Sequence, residues 1–285
     1  MLTPQAAVHV LEPYGAERGN PGRTSLASPV NATEGQLALR VAAMAADAGT
    51  TGEINLSLLW RELSRGNSRV VDGFFSEDGC YLVLERKANG QATPIEGRRL
   101  EIVEAVLAGL RQKNIAIDLA LAPSTVALNA RLALESLGVS GKPSRAHPLL
   151  MLAARTAREA TLALARFSTF VHDDRELRVI GTARPDRALS ALLPTAELSV
   201  IRSLVEGLSY EEIAQVRGTS TRTVANQVTA VFRRLRVSGR NDLVQRLFLD
   251  EVVARQTVRP SAETLVPPHV VGPALAKLDG ARRSA

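Results

Sequence analysis

The 285 residues hold 35 Lys and Arg against 29 Asp and Glu, a formal net charge of +6, with 45% hydrophobic residues. That length suits two modest domains or three small ones, and the basic balance suits a polyanionic partner such as nucleic acid. A lone cysteine, Cys80, excludes an intrachain disulfide, no Cys/His spacing resembles a zinc site, and no apolar run approaches the ~18 residues of a membrane span.

No basic segment followed by an apolar run opens the chain, so the expectation is a cytoplasmic protein with no membrane partner, metal or cofactor. Lys occurs only at positions 87, 113, 142 and 277, and the excess of Arg, Ala, Leu and Val points to a GC-rich bacterial genome.

Residues 1–34 mix Pro, Gly, Ser and Asn without a sustained period and read as a disordered arm. From Glu34 to Ala48 the spacing of Leu37, Val41 and Met44 predicts a helix that Gly49 or Gly52 ends. Arg69 to Phe75 and Cys80 to Arg86 are strand-like and are joined by Ser76-Glu77-Asp78-Gly79, a hairpin signal. The stretch 35–95 is thus a helix plus a β-hairpin. Its Trp60, Phe74, Phe75 and Tyr81 could line a ligand pocket, but aromatic residues on short strands belong more often to a core.

An internal repeat follows. Displaced by 98 positions, residues 100–141 fall on 198–239 without a gap, giving twelve identical pairs that include Gly109/Gly207, Ile115/Ile213, Val126/Val224 and Leu137/Leu235. Most are apolar or small, so the two segments are expected to share a fold. The run Glu176 to Thr182 stands where an upstream extension would place the counterpart of Cys80 to Lys87. The domain order expected is 96–155 for the first copy, 156–192 for a linker with a helix and a short strand, 193–252 for the second copy, and a Pro-rich flexible tail over 256–285. Asp173-Asp174 opens no alternating strand and helix succession of the kind a phosphorylated receiver needs, and reads as a turn.

In the second copy, Leu198, Ile201, Val205 and Leu208 make one helical stripe. Ser209-Tyr-Glu-Glu212 has the capping-box spacing for a second helix, which Gly218 stops. Ser220 can cap a third helix, whose Val224, Val228, Val231 and Leu235 face a core. The opposite face then holds Arg222, Asn226, Thr229 and Arg233, with Ala225 and Arg236 beside them. Asn can read adenine, Arg can read guanine or hold phosphate, and Ala and Thr methyls can meet a thymine methyl. Between Ile213 and Asn241 there are six arginines and no carboxylate, as a duplex backbone would favour. A fourth helix from Asn241 carries Leu243, Val244 and Leu247 on one side, either as core or as a dimer contact.

The sequence Leu208-Ser-Tyr-Glu-Glu-Ile-Ala214, then Gly218 to Val228, then Leu235 to Leu243, resembles the LuxR-type helix-turn-helix of bacterial regulators. The resemblance implies a four-helix fold whose third helix lies in the major groove, with Ala225, Asn226 and Thr229 facing bases. It implies further that the fourth helix mediates dimerisation on inverted half-sites. Ala225 and Gln227 depart from the family, which commonly has Lys and His there.

The first copy lacks this reading chemistry. Ala120 replaces the turn glycine, Ala122 replaces the capping serine, and Ser124, Leu128, Arg131 and Glu135 stand in place of the reading face. A carboxylate and an exposed Leu both oppose insertion beside phosphates, so this copy is expected to serve packing, assembly or regulation.

The expected fold class is mainly α: a C-terminal LuxR-type four-helix module, a degenerate tandem copy, and a small strand-containing hairpin before each. The expected function is sequence-specific transcription regulation, by a homodimer that binds double-stranded DNA and has RNA polymerase as a candidate contact. The DNA contacts expected are Ser220, Arg222, Thr223, Ala225, Asn226, Thr229, Arg233 and Arg236. The alternative is an adaptor that keeps the helix-turn-helix fold to bind another regulator or polymerase. The four histidines have no matching nucleophile and carboxylate set, and no phosphate-binding glycine loop occurs, so no enzymatic activity is expected.

Overall fold

The computed structural model describes residues 33–49, 52–87, 93–140 and 146–248. The arm before residue 33 and the tail at 256–285 lie outside the described residues.

Helix α1 (Glu34–Ala48) starts with Thr33 and Gln36 capping each other's backbone donors. Strand β1 (Gly52–Asn55) leads into α2 (Leu56–Ser64), which Asn55 caps. The hairpin β2 (Ser68–Phe75) and β3 (Gly79–Arg86) follows as the sequence suggests, and Trp60, Phe74 and Tyr81 are buried as core. Next come α3 (Gly97–Leu107), α4 (Gln112–Asp118) and α5 (Pro123–Ser136), then α6 (Pro148–Glu159). A second hairpin, β4 (Leu164–His172) and β5 (Arg175–Ala183), turns at Asp173 and Asp174, both left-handed (φ 49° and 58°) as a two-residue hairpin turn requires. A 3-10 turn, Pro185–Ala191, leads to α7 (Thr195–Val205), α8 (Tyr210–Arg217), α9 (Thr221–Leu235) and a last helix, α10, over 240–248.

The described chain is mostly helical, but the hairpins are not separate preludes to two helical modules. They join in one antiparallel sheet of order β1-β4-β5-β3-β2. The stretch 156–192, expected as a linker, therefore supplies two of the sheet's inner strands, and α6 runs across the expected boundary at 155. Alternate residues of β3 and β5 face opposite ways. Tyr81, Val83, Leu177 and Val179 meet Leu39 and Ala43 of α1, while Cys80, Leu82, Leu84 and Ile180 join the main core with α2, α6 and the last helices.

The elements recur at a fixed interval. The starts of α3, α4 and α5 stand 98 residues before those of α7, α8 and α9. Left-handed backbone recurs at the same interval, in Gly109 and Gly207, in Ala120 and Gly218, and in Gly138 and Arg236. Where β3 pairs with β5, Leu82 lies opposite Ile180, again 98 residues away, and Gly79↔Ala183 is matched by Glu85↔Leu177. Exchanging the two strands by that interval therefore reproduces the same pairing, the relation a twofold axis through Leu82 and Ile180 would give.

Candidate nucleic-acid interface

The local grammar of α7 to α9 is built from the residues that the sequence singles out. Ser209 Oγ accepts from the Glu212 amide at 3.2 Å, and the Ser209 amide donates to Glu212 Oε2 at 2.6 Å. Gly218 ends α8 at φ 60°, a conformation that costs a residue with a Cβ roughly 1–2 kcal/mol. Ser220 Oγ accepts from the Thr223 amide at 3.1 Å and starts α9. Val224, Val228 and Val231 are buried, and Ile213 and Ala214 of α8 belong to the same core.

Packing of that stripe fixes which way α9 turns its other side. Arg222, Thr223, Asn226, Thr229 and Arg233 are exposed, and Ala225 is half-buried. The Thr229 hydroxyl donates to the Ala225 carbonyl at 2.8 Å. Ser220 and Thr223 hydroxyls lie 2.9 Å apart at the helix start. Arg236 is exposed just past the helix, in left-handed backbone.

The arginines between Ile213 and Asn241 differ in placement. Arg240 is a structural anchor: its guanidinium donates to the carbonyls of Leu204 and Val205 at 2.7 and 2.8 Å and to Ala146 at 3.2 Å. Arg234 pairs with Glu197 at 2.6 Å. Arg222 and Arg233 keep the outward position on α9. Nothing in the local sequence around Gly239-Arg240-Asn241 distinguishes an anchor from a phosphate contact, which is why charge counting alone overstates this face.

Of the two alternatives for α10, the core reading is the one observed. Leu243, Val244 and Leu247 are 0%, 1% and 7% exposed and lie in the main core of their own chain, so they offer no free face for a second subunit. Gln245 explains the placement, because its amide donates to the Ala108 carbonyl at the end of α3 while Arg155 of α6 donates to its oxygen at 2.5 Å.

A further group that sequence reasoning missed ties the sheet to this module. Arg184 bonds Asp186 (2.8 Å), Glu206 at the end of α7 (2.5 Å) and the Ser76 carbonyl (2.8 Å), and lies over the Phe75 ring. Asp186, fully buried, also accepts from Arg202 of α7 at 2.9 Å.

With this geometry in place, residues 191–247 match the family model of bacterial regulatory proteins, luxR family. They are a LuxR-type helix-turn-helix domain. A curated relative, the transcriptional regulatory protein UhpA of Salmonella typhimurium, is 36% identical over 72 residues, which is 24% of this chain and 37% of that protein. The similarity therefore spans well under half of either chain. No solved structure matches. Among the described residues no single helix is long and apolar enough to cross a membrane, and no group of three or more His, Cys, Asp and Glu could hold a metal ion.

Proposed function

We propose that this chain is a sequence-specific DNA-binding transcription regulator of the bacterial cytoplasm that reads duplex DNA with α9. The observation that carries the reading is the outward face of α9, where Arg222 and Arg233 flank Asn226 and Thr229 over a buried valine stripe. In this arrangement Asn226, Thr229 and the Ala225 methyl read base edges, while Ser220, Arg222, Thr223, Arg233 and Arg236 hold phosphates and set the register.

The 98-residue recurrence supports reading the chain as a duplicated unit, hairpin plus three helices, in which the second copy has kept the reading chemistry and the first serves assembly or regulation. On the counterpart face of the first copy, Leu128 is exposed and Arg131 is spent on Glu135 at 3.7 Å, which suits protein contact better than a phosphate backbone.

Titration of the full chain onto random-sequence duplex at several salt concentrations tests the reading. Log affinity falls steeply with log salt for the wild type, and a double variant, Arg222→Ala with Arg233→Ala, binds more weakly with a slope shallower by about two. Binding that ignores salt, or that the double variant leaves unchanged, would favour an adaptor that contacts protein through the same fold.

A further inference from the structure

Helix α10 is enclosed by its own chain. Of residues 241–248 only Arg246 is exposed, and its guanidinium donates to the Leu235 carbonyl. Much of the enclosure comes from the half of the chain before residue 160. Gln245 donates to the Ala108 carbonyl at the end of α3 and accepts from Arg155 of α6 at 2.5 Å, and a Cβ at Gly109 would lie 3.2 Å from that of Asn241. Arg240, where α10 begins, donates to the Ala146 carbonyl at 3.2 Å, and its Nη1 lies 3.7 Å from the Met151 sulfur. At the 98-residue interval the counterpart of 240–248 is 142–150, which leads into α6 and whose described residues, 146–150, are all buried. On the duplication proposed above, two equivalent segments, one after each helical triplet, thus meet inside one molecule. The β3–β5 register has the same relation, and so does the packing of α2 on α6, where Leu56 and Ala154 are buried 98 residues apart.

We infer that one chain reads one non-palindromic DNA site through α9; the inference rests on the DNA-reading assignment above and adds the class of site. Inverted half-sites are read by two equivalent heads related by a twofold axis. Here the twofold relation lies within the chain, and it exchanges α9 with α5 rather than with a second α9. At the counterpart positions α5 carries Leu128 for Asn226 and Glu135 for Arg233. Leu128 is 47% exposed and offers no hydrogen bond to a base edge, and the Glu135 carboxylate opposes a phosphate backbone. The described part of α10, meanwhile, turns its apolar residues inward and leaves no apolar face for a second chain. A single head forgoes the avidity of a linked second one, about 10²–10⁴-fold, so binding depends on one motif and on phosphate contacts around it.

Selection by the full chain from a random duplex pool at low salt is the test. The recovered sequences share one motif without an inverted repeat, and the selected duplex sediments with one chain bound. A duplex with two inverted copies of the motif binds two chains, each with an affinity within about twofold of the single site. Five base pairs inserted between the copies, about half a helical turn, change nothing. Arg131→Ala, on the exposed side of α5, leaves the motif and the salt slope as they are, whereas Arg233→Ala lowers the slope by about one. Three results overturn the inference while DNA reading stands: an inverted repeat at fixed spacing, a gain of about tenfold or more from the second copy that the insertion abolishes, or a shallower salt slope in Arg131→Ala. Salt-insensitive binding with no recovered motif overturns the DNA-reading assignment itself, and this inference with it.

Discussion

Arg184 and Glu206 lie 2.5 Å apart, joining the end of the second hairpin to the end of α7, and the same guanidinium reaches Asp186 and the Ser76 carbonyl. Arg184 and Asp186 are almost fully removed from water, so the cluster holds only while every charge has its partner. Replacing Arg184 with Ala strands Glu206 and half of Asp186's acceptors. The expected loss is about 3–5 kcal/mol in urea unfolding. A loss below about 1 kcal/mol, the range of a surface pair, would mean that the cluster does not anchor the reading module.

Ala120 and Gly218 stand 98 residues apart, one just past the end of α4 and the other at the end of α8, with φ 52° and 60°. Only the glycine is suited to that conformation, for which an L side chain costs roughly 1–2 kcal/mol. Ala120→Gly should therefore stabilise the protein, by about 0.5–1 kcal/mol once the extra freedom of the unfolded chain is subtracted. Gly218→Ala should destabilise it by about 1 kcal/mol, and purely through the backbone, since nothing lies within 4 Å of the added methyl. Equal effects of the same sign from both substitutions would contradict the conformational argument.

His147, at the start of α6, is buried against Phe75 with its Nε2 3.7 Å from the Cys80 sulfur, and burial pushes its pKa down to about 3. The folded state thus refuses a proton that the unfolded imidazole accepts below its ordinary value near 6.5. Stability is fully present above that pH and is lost as pH falls towards 3. Between pH 7 and 5 the loss is about 2 kcal/mol, a window in which most carboxylates stay ionised. In His147→Gln the slope of unfolding free energy over that window should flatten, whatever the variant's absolute stability. A slope identical to wild type would show that the imidazole is not the group responsible.

The proposed contacts give Asn226 a base-reading role and Arg233 a phosphate-holding one, and the two are separable by substitution. Selection from a random duplex pool should give Asn226→Ala a relaxed preference at one base position, costing about 1–3 kcal/mol of discrimination there. Arg233→Ala should weaken all sequences alike and reduce the salt slope by about one. If the two variants changed preference in the same way, α9 would not sit in the groove as proposed.

The helices of the reading module were legible because their punctuation is local. Ser209 and Glu212, Gly218, and Ser220 each act within a few residues, and the valine stripe repeats on one element. The first hairpin was legible for the same reason; of the second, only the run Glu176 to Thr182 and the turn at Asp173-Asp174 were, and β4 was not. The union of the two hairpins was not legible, because the pairing of Leu82 with Ile180 joins segments 98 residues apart and both strands read alike whether they lie at an edge or inside a sheet. Helix α1 was legible as a helix and misleading as a face. Leu37 and Val41 have the spacing of a core stripe, yet Leu39 and Ala43 are the residues that pack, because Arg40 and Asp47 find carboxylate and guanidinium partners on the sheet. Those partners, Asp72 and Arg166, are 32 and 119 residues away, beyond any local pattern.

The β3–β5 register sets Leu82 opposite Ile180, 98 residues away, and exchanging the two strands by that interval reproduces the pairing. In an assembly of identical subunits every substitution is made twice, so a change that ruins one recognition surface ruins its mate as well. On the duplication proposed above, two halves encoded in tandem escape that constraint: Asn226 and Leu128 can diverge at matching places while the strands between them go on sharing a single core. Such a chain is free to inherit symmetry in its scaffold and abandon it at its surface.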